Sequence, residues 1–314
     1  MPSSERSLTS SLPQPVILPG RARESGAFPP SPAHGGGAGG GGFPISGLRA
    51  DFALYAALVR AQVNAQLQYR TSFALQSFSQ FILTFTDFIM LLLLFHRFPS
   101  IAGWTLPEVA FLYGLGGLAF GISDLLCGGF DNLSAMIRLG TFDRVLTRPV
   151  GTFAQVLASD VQIRRFGRVG QGAVVLGLAI SWLDVAWSLD KIAVAASAVV
   201  SGVAIFTAIW VIGAAITFWT VETSEVTNVF TYGGEALVSY PMPIYAEGIR
   251  WFFTYVVPLA FVSYLPAIYI LERADPLGLP PLLQVCSPVV AALFLVAARV
   301  CWAFGVRHYQ GTGS

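Results

Sequence analysis

The sequence predicts an all-α polytopic membrane protein, and three observations predict it. The 314 residues are 54% hydrophobic and only 11% charged, whereas soluble domains carry about 25% charged residues. Apolar runs of about 20 residues recur, long enough to cross a bilayer core of roughly 30 Å. These runs do not alternate apolar with polar residues, so an outer-membrane barrel is excluded. The same figures exclude a soluble enzyme, a nucleic-acid binder and a disordered scaffold. The formal net charge of +1 says nothing about an acidic partner.

Residues 1–47 read as a disordered tail. Six prolines between Pro13 and Pro32 precede a run from Gly35 to Gly42 that is all glycine except Ala38. Such sequence cannot bury enough apolar surface to offset its ordering entropy. It lacks the apolar core of a signal peptide. Residues 48–314 form the membrane domain. Over Leu48–Arg70, Leu48, Phe52, Tyr55, Leu58 and Val59 recur at helical spacing with Arg49, Arg60 and Arg70 on other faces. This is the pattern of an amphipathic helix on the membrane surface.

Six crossings follow. The first is Phe73–His96, whose 24 residues reach roughly 36 Å as a helix. The second is Leu106–Cys127, followed by a long polar stretch, Gly128–Arg168. Val169–Trp187 is the third, and a tight turn at Ser188–Lys191 leads to the fourth, Ile192–Thr220. Either Trp251–Leu271 is the fifth, or Val226–Tyr245 crosses while Trp251–Leu271 dips in and returns. Pro258 and Pro266 favour the dipping form, because each removes a backbone donor and leaves a kink to be satisfied inside protein. Leu283–Phe304 is the last, with Pro288 near its start.

Arginine sets the sidedness. Arg138, Arg144, Arg148, Arg164, Arg165 and Arg168 lie in the 128–168 stretch, and Arg49, Arg60, Arg70 and Arg307 flank the first and last spans. Arg97, Lys191 and Arg273 fall on the other side. The long loop and both termini are therefore expected to be cytoplasmic.

Two constellations could carry function. In the loop, Asp131 or Asn132 can cap a short helix whose apolar side is Leu133, Met136, Ile137 and Leu139. Gly140 stops it, and Pro149 stops the following Phe142–Leu146 turn. Arg138, Asp143 and Arg144 give it alternating charge, suited either to a groove on a soluble partner or to lipid headgroups. In the first span, Gln76, Gln80, Thr84 and Asp87 form one polar stripe ending in an acid. Such a stripe lines a pathway or makes helix–helix hydrogen bonds. Asp124, Glu222 and Glu225 read as ordinary interfacial acids, and Gly117 with Gly121 as a packing motif. Cys127, Cys286 and Cys301 are scattered, and only three histidines occur, so neither a metal site nor catalytic residues are expected. The single lysine follows Leu189-Asp190, so there is no P-loop.

The order of these parts resembles a known family. A surface helix and two spans precede an Arg-rich loop with G-T-F-D-R-V-L-T-R-P. Two further spans, a Y-P-M-P-I-Y…V-V-P-L-A-F-V-S-Y-L-P-A block, a last span and a terminal R-H-Y-Q-G-T-G-S follow. Residues 48–314 thus resemble the six-span permease subunits of bacterial type-2 ABC exporters, nearest the viologen and multidrug branch. The resemblance implies a coupling helix over Asp131–Leu146 seated on an ATPase, a connecting helix at Leu48–Arg70 and, after the fourth span, a fifth span followed by an extracellular re-entrant pair. It implies an ABC ATPase dimer carrying ATP and magnesium, no cofactor in this chain, and a second permease subunit, identical or homologous. The function implied is ATP-driven export of a small compound, amphipathic or cationic. A proton-coupled carrier using Asp87 and a membrane anchor or assembly protein are the alternatives.

Overall fold

The computed structural model describes residues 70–148, 151–160, 162–220, 224–274 and 278–309, with a few isolated positions between 56 and 68. The tail, the surface helix Leu48–Arg70, Pro149 and Glu222 lie outside this set, apart from those isolated positions. Among the described residues the fold is helical, and the sole extended pairing is the isolated bridge between Ile101 and Trp104. The long helices are α1 (Arg70–Arg97), α2 (Leu106–Asp131), α6 (Phe166–Trp182), α7 (Leu189–Thr220) and α11 (Ser287–His308). Between α2 and α6 lie three short helices: α3 (Leu133–Arg138), α4 (Phe142–Leu146) and α5 (Thr152–Leu157). Between α7 and α11 lie α8 (Ser224–Val238), α9 (Glu247–Tyr255) and α10 (Tyr264–Ile270).

By length and apolarity, α1, the continuous α2–α3 stretch, α7 and α11 can each cross a membrane. The bent pair of α9 with Leu259–Ile270 adds a fifth candidate. The helix α6 has 17 residues, reaching roughly 25 Å. It stops at Trp182, earlier than the sequence suggests, and the chain continues outside any helix to Ser188, with Trp187 against Phe111. The turn expected at Ser188–Lys191 is already the start of α7. The last helix begins four residues later than expected. Pro288 lacks an N–H and is tolerated only in a first turn, so Pro281–Val285 forms a 3-10 turn and α11 starts at Ser287.

The helix α2 is the hub. Of its most apolar stretch 72% is buried, against 22% for α1 and for α11. Its glycines permit the approach of α6: a Cβ on Gly114 would lie 2.6 Å from the Cα of Leu176, and one on Gly172 would lie 2.7 Å from the backbone nitrogen of Leu118. The expected Gly117–Gly121 motif is only half used. Gly121 meets Val169 closely, but a Cβ on Gly117 would meet nothing within 4 Å.

The segment after α7 doubles back. Gly213 on α7 meets Thr227, near the start of α8, and Gly116 on α2 meets Val238, at its end. The chain then turns, and α9 returns along α8, with Tyr245 donating to the carbonyl of Leu237 and Phe252 and Phe253 beside Phe230. At Pro258 it bends by 75°. It climbs again past Gly202 at Val262, and Ser263 donates to the carbonyl of Val238 at 2.6 Å. Pro266 sits in the first turn of α10, where a missing N–H leaves no bond unmade. At the top, Arg273 reaches Glu108 at 2.8 Å and the carbonyl of Gly103 at 2.8 Å, and Lys191 reaches Glu272 at 2.6 Å. Glu108 also accepts from the N–H of Thr105 at 2.7 Å, which caps α2.

Candidate functional site

The short helices α3, α4 and α5 form a platform at the end opposite Arg273. Asn132 does not cap α3, and neither does Asp131. Both keep helical backbone, so α2 runs on into α3, and their side chains go elsewhere. Asn132 donates to Asp160 at 3.1 Å, and Asp131 accepts from Arg165 at 2.8 Å. Gly140 ends α3 with φ +67°, the left-handed conformation that glycine adopts without strain.

The platform is anchored by aromatic rings. Phe142, fully buried in α4, meets Phe218 of α7 at 5.3 Å and Tyr309 after α11 at 4.9 Å. Phe130 and Phe153 meet Trp302 of α11 at 5.4 and 5.7 Å. Edge-on pairs of this kind add about 0.5–1.5 kcal/mol each beyond area burial. The Tyr309 hydroxyl donates to Asp143 at 2.9 Å, and loss of water together with that carboxylate pushes its pKa up to about 12. Phe142 and Asp143 thus tie α4 to the ends of α7 and α11.

Of the loop residues singled out from sequence, Leu133, Ile137 and Phe142 face inward and are buried, and Met136 is half-buried. Arg138, Asp143 and Arg144 face out. The outward apolar positions are Leu139, 71% exposed, and Leu146, 41% exposed. Placing Leu139 with Leu133 on one apolar side was therefore a misreading, because the helix ends at Arg138 and Leu139 belongs to the following turn.

Beneath the platform lies an ion network that sequence reading missed. Arg165 precedes α6 and forms ion pairs with Asp124 and Asp131, both at 2.8 Å, while donating to the Asp124 carbonyl at 2.6 Å. One turn on, Arg168 lies 3.8 Å from Asp124 and 3.7 Å from Glu235 of α8. Its guanidinium stands over the rings of Phe120 at 5.0 Å and Tyr232 at 5.4 Å, a favourable cation–π arrangement. The network joins α2, α6, α8 and the platform. Its spacing was visible: Asp124 and Asp131 are two helical turns apart, and Arg165 and Arg168 one turn apart, so each pair shares a face.

The stripe on α1 is split. Thr84 is buried, donating back to the carbonyl of Gln80 at 2.9 Å, and Gln80 is half-buried. Gln76 bonds Ser72 at 3.1 Å and is exposed, as is Asp87. The buried face of α1 is Thr84, Phe88, Leu91 and Phe95. Within one chain, Gln76 and Asp87 lie on the flank of that face.

Comparison with protein families decides the class. A model of the ABC-2 family transporter proteins matches residues 81–313, which is 233 of the 314 residues. The chain belongs to the ABC-2 transporter family. It is a multi-pass membrane permease of an ABC transporter, and permeases of this family work with an ABC ATPase. The match covers α2 to α11 and most of α1. No curated protein and no solved structure matches the chain.

Proposed function

We propose that this permease is the membrane half of a bacterial exporter of the viologen and multidrug branch, moving a small amphipathic or cationic compound out across the inner membrane. The reading has six crossings with both termini cytoplasmic. α1, α2, α6, α7 and α11 supply five, and α8 supplies the remaining one, while α9 and the 259–270 segment dip in and return. On this reading Pro258 marks the turning point of an extracellular re-entrant pair. ATP and magnesium bind a separate ATPase dimer, and this chain hydrolyses nothing. ATP-driven closure of that dimer is levered through α3 and α4 to alternate the access of the spans. A second permease, identical or homologous, covers the flank bearing Asp87. A carboxylate facing hydrocarbon costs about 2.5–3.5 kcal/mol on insertion scales, which supports such a cover.

The observation that carries the reading is the family match joined to the platform. Leu139 and Leu146 are presented outward among Arg138, Asp143 and Arg144, on helices locked by Phe142 to α7 and α11. Nothing in the match favours a proton-coupled carrier or an anchor. The test is co-purification with a P-loop ATPase encoded beside this gene. Recovery of a stoichiometric complex supports the reading, and a permease that transports in membranes stripped of that ATPase defeats it.

A further inference from the structure

The turn after α10 ties the upper ends of two long helices together through consecutive residues. Arg273 grips the α2 side: it pairs with Glu108 at 2.8 Å, donates to the carbonyl of Gly103 at 2.8 Å and stands over the Trp104 ring at 4.7 Å. Glu272 reaches the other way, to Lys191 in the first turn of α7, at 2.6 Å. Tyr269 of α10 adds a bond to Asp190 at 3.1 Å.

Glu272 occupies a position suited to glycine. Its φ is +53°, and the N–H groups of Glu272 and Arg273 close on the carbonyls of Tyr269 and Ile268. Glycine ends a helix in this way without strain, whereas a side chain is strained there. A side chain held in such a conformation points to a role for that side chain.

The pair with Lys191 is lopsided. The Lys191 side chain is 10% exposed and that of Glu272 is 75% exposed. The Lys191 ammonium has no other hydrogen-bond or ion-pair partner among the described residues. If Glu272 swings away, its carboxylate hydrates freely, but the ammonium is left buried and unpaired, which is strongly unfavourable. The ammonium regains water only if α7 parts from the turn. Below it, small residues on the same face of α7 close the seam with the 259–270 segment: Ala198 is fully buried, and Gly202 meets Val262.

We propose that the 271–273 turn is a latch on the seam between α7 and the 259–270 segment, with Arg273 as its fixed end and the Lys191–Glu272 pair as its release. Departure of Glu272 strands the Lys191 ammonium and drives the seam open. That the release belongs to a transport cycle, with this end outside the cell, rests on the transport reading.

The test is the rate at which a hydrophilic maleimide labels Ala198→Cys, the single cysteine of an otherwise cysteine-free full chain in phosphatidylcholine nanodiscs. Glu272→Ala labels about tenfold or more faster than the parent, the effect of stranding a buried charge. Lys191→Met labels no faster than the parent, because an apolar side chain fills the same place without needing water and Glu272 stays hydrated. The double variant Lys191→Met/Glu272→Ala labels like Lys191→Met. A chain retaining Cys127 alone, fully buried, reports global loosening and stays unlabelled in every variant. If both single substitutions speed labelling alike, the pair is an ordinary staple and the proposal is overturned. Labelling that Glu272→Ala leaves unchanged, or labelling of Cys127 in step with position 198, overturns it too. Because no ATPase is present, such a failure alongside an intact ATPase complex would refute the latch and spare the transport reading. Latch behaviour in a chain that forms no such complex would do the reverse.

Discussion

Removing Arg165 isolates the contribution of the buried network. In Arg165→Leu, Asp124 loses its 2.8 Å partner and is left with Arg168 at 3.8 Å, while its side chain remains only 6% exposed. Breaking one side of a buried pair costs about 3–5 kcal/mol, because the remaining charge is left desolvated. Asp131 adds little to this, since its side chain is 31% exposed and can hydrate. For a chain of this size, each kcal/mol shifts the melting temperature by about 2–4 °C, so the variant should melt roughly 10 °C lower. The double variant Arg165→Leu/Asp124→Leu should recover most of that loss, since removing both partners of a buried pair is close to neutral. Arg165→Lys should fall between, because one ammonium cannot span Asp124 and Asp131 as the guanidinium fork does. The assay is intrinsic-fluorescence melting of the detergent-purified permease. A shift below about 2 °C for Arg165→Leu, or a double variant as unstable as the sum of its singles, would refute the reasoning.

Two further outcomes follow. Gly114→Ala should destabilise by about 1–3 kcal/mol, since its methyl meets the backbone of Leu176, whereas Gly117→Ala should melt like the unmodified chain, because its methyl meets nothing; equal effects of the two would place the α2–α6 seam elsewhere. Asp87→Asn should assemble normally and alter transport or substrate preference without abolishing ATP-driven transport, read by efflux from vesicles; if Asp87→Leu assembles and transports like the unmodified permease, the stripe has no role in the pathway.

Much of the architecture was legible because it depends on apolar length and on proline. The apolar runs located α1, α2, α7 and α11 to within a few residues, and Pro258 marked the bend. The early stop of α6 at Trp182 was not legible, because Leu183, Val185 and Trp187 remain apolar after the helix has ended. The candidate site was legible only in part. The alternating charges of Arg138, Asp143 and Arg144 do face outward, as their polarity suggests. Helical spacing cannot tell that Leu139 leaves the helix, since that depends on Gly140 taking positive φ. Counting Arg165 and Arg168 as markers of sidedness hid their second use. A single sequence shows their charge but not the carboxylates of Asp124 and Glu235, brought to them from 41 and 67 positions away.

Site-directed crosslinking addresses the central claim, that this permease is driven by an ABC ATPase through α3 and α4. Single cysteines at Leu139 and Leu146 in a cysteine-free chain are treated with a short bifunctional reagent in native membranes, with Phe142→Cys as the buried control. The account predicts that both exposed positions crosslink to a P-loop ATPase, that the yield changes on adding ATP with vanadate, and that position 142 does not react. Crosslinks confined to lipid or to other membrane proteins, or modification of position 139 by an impermeant reagent from the periplasm, would contradict it.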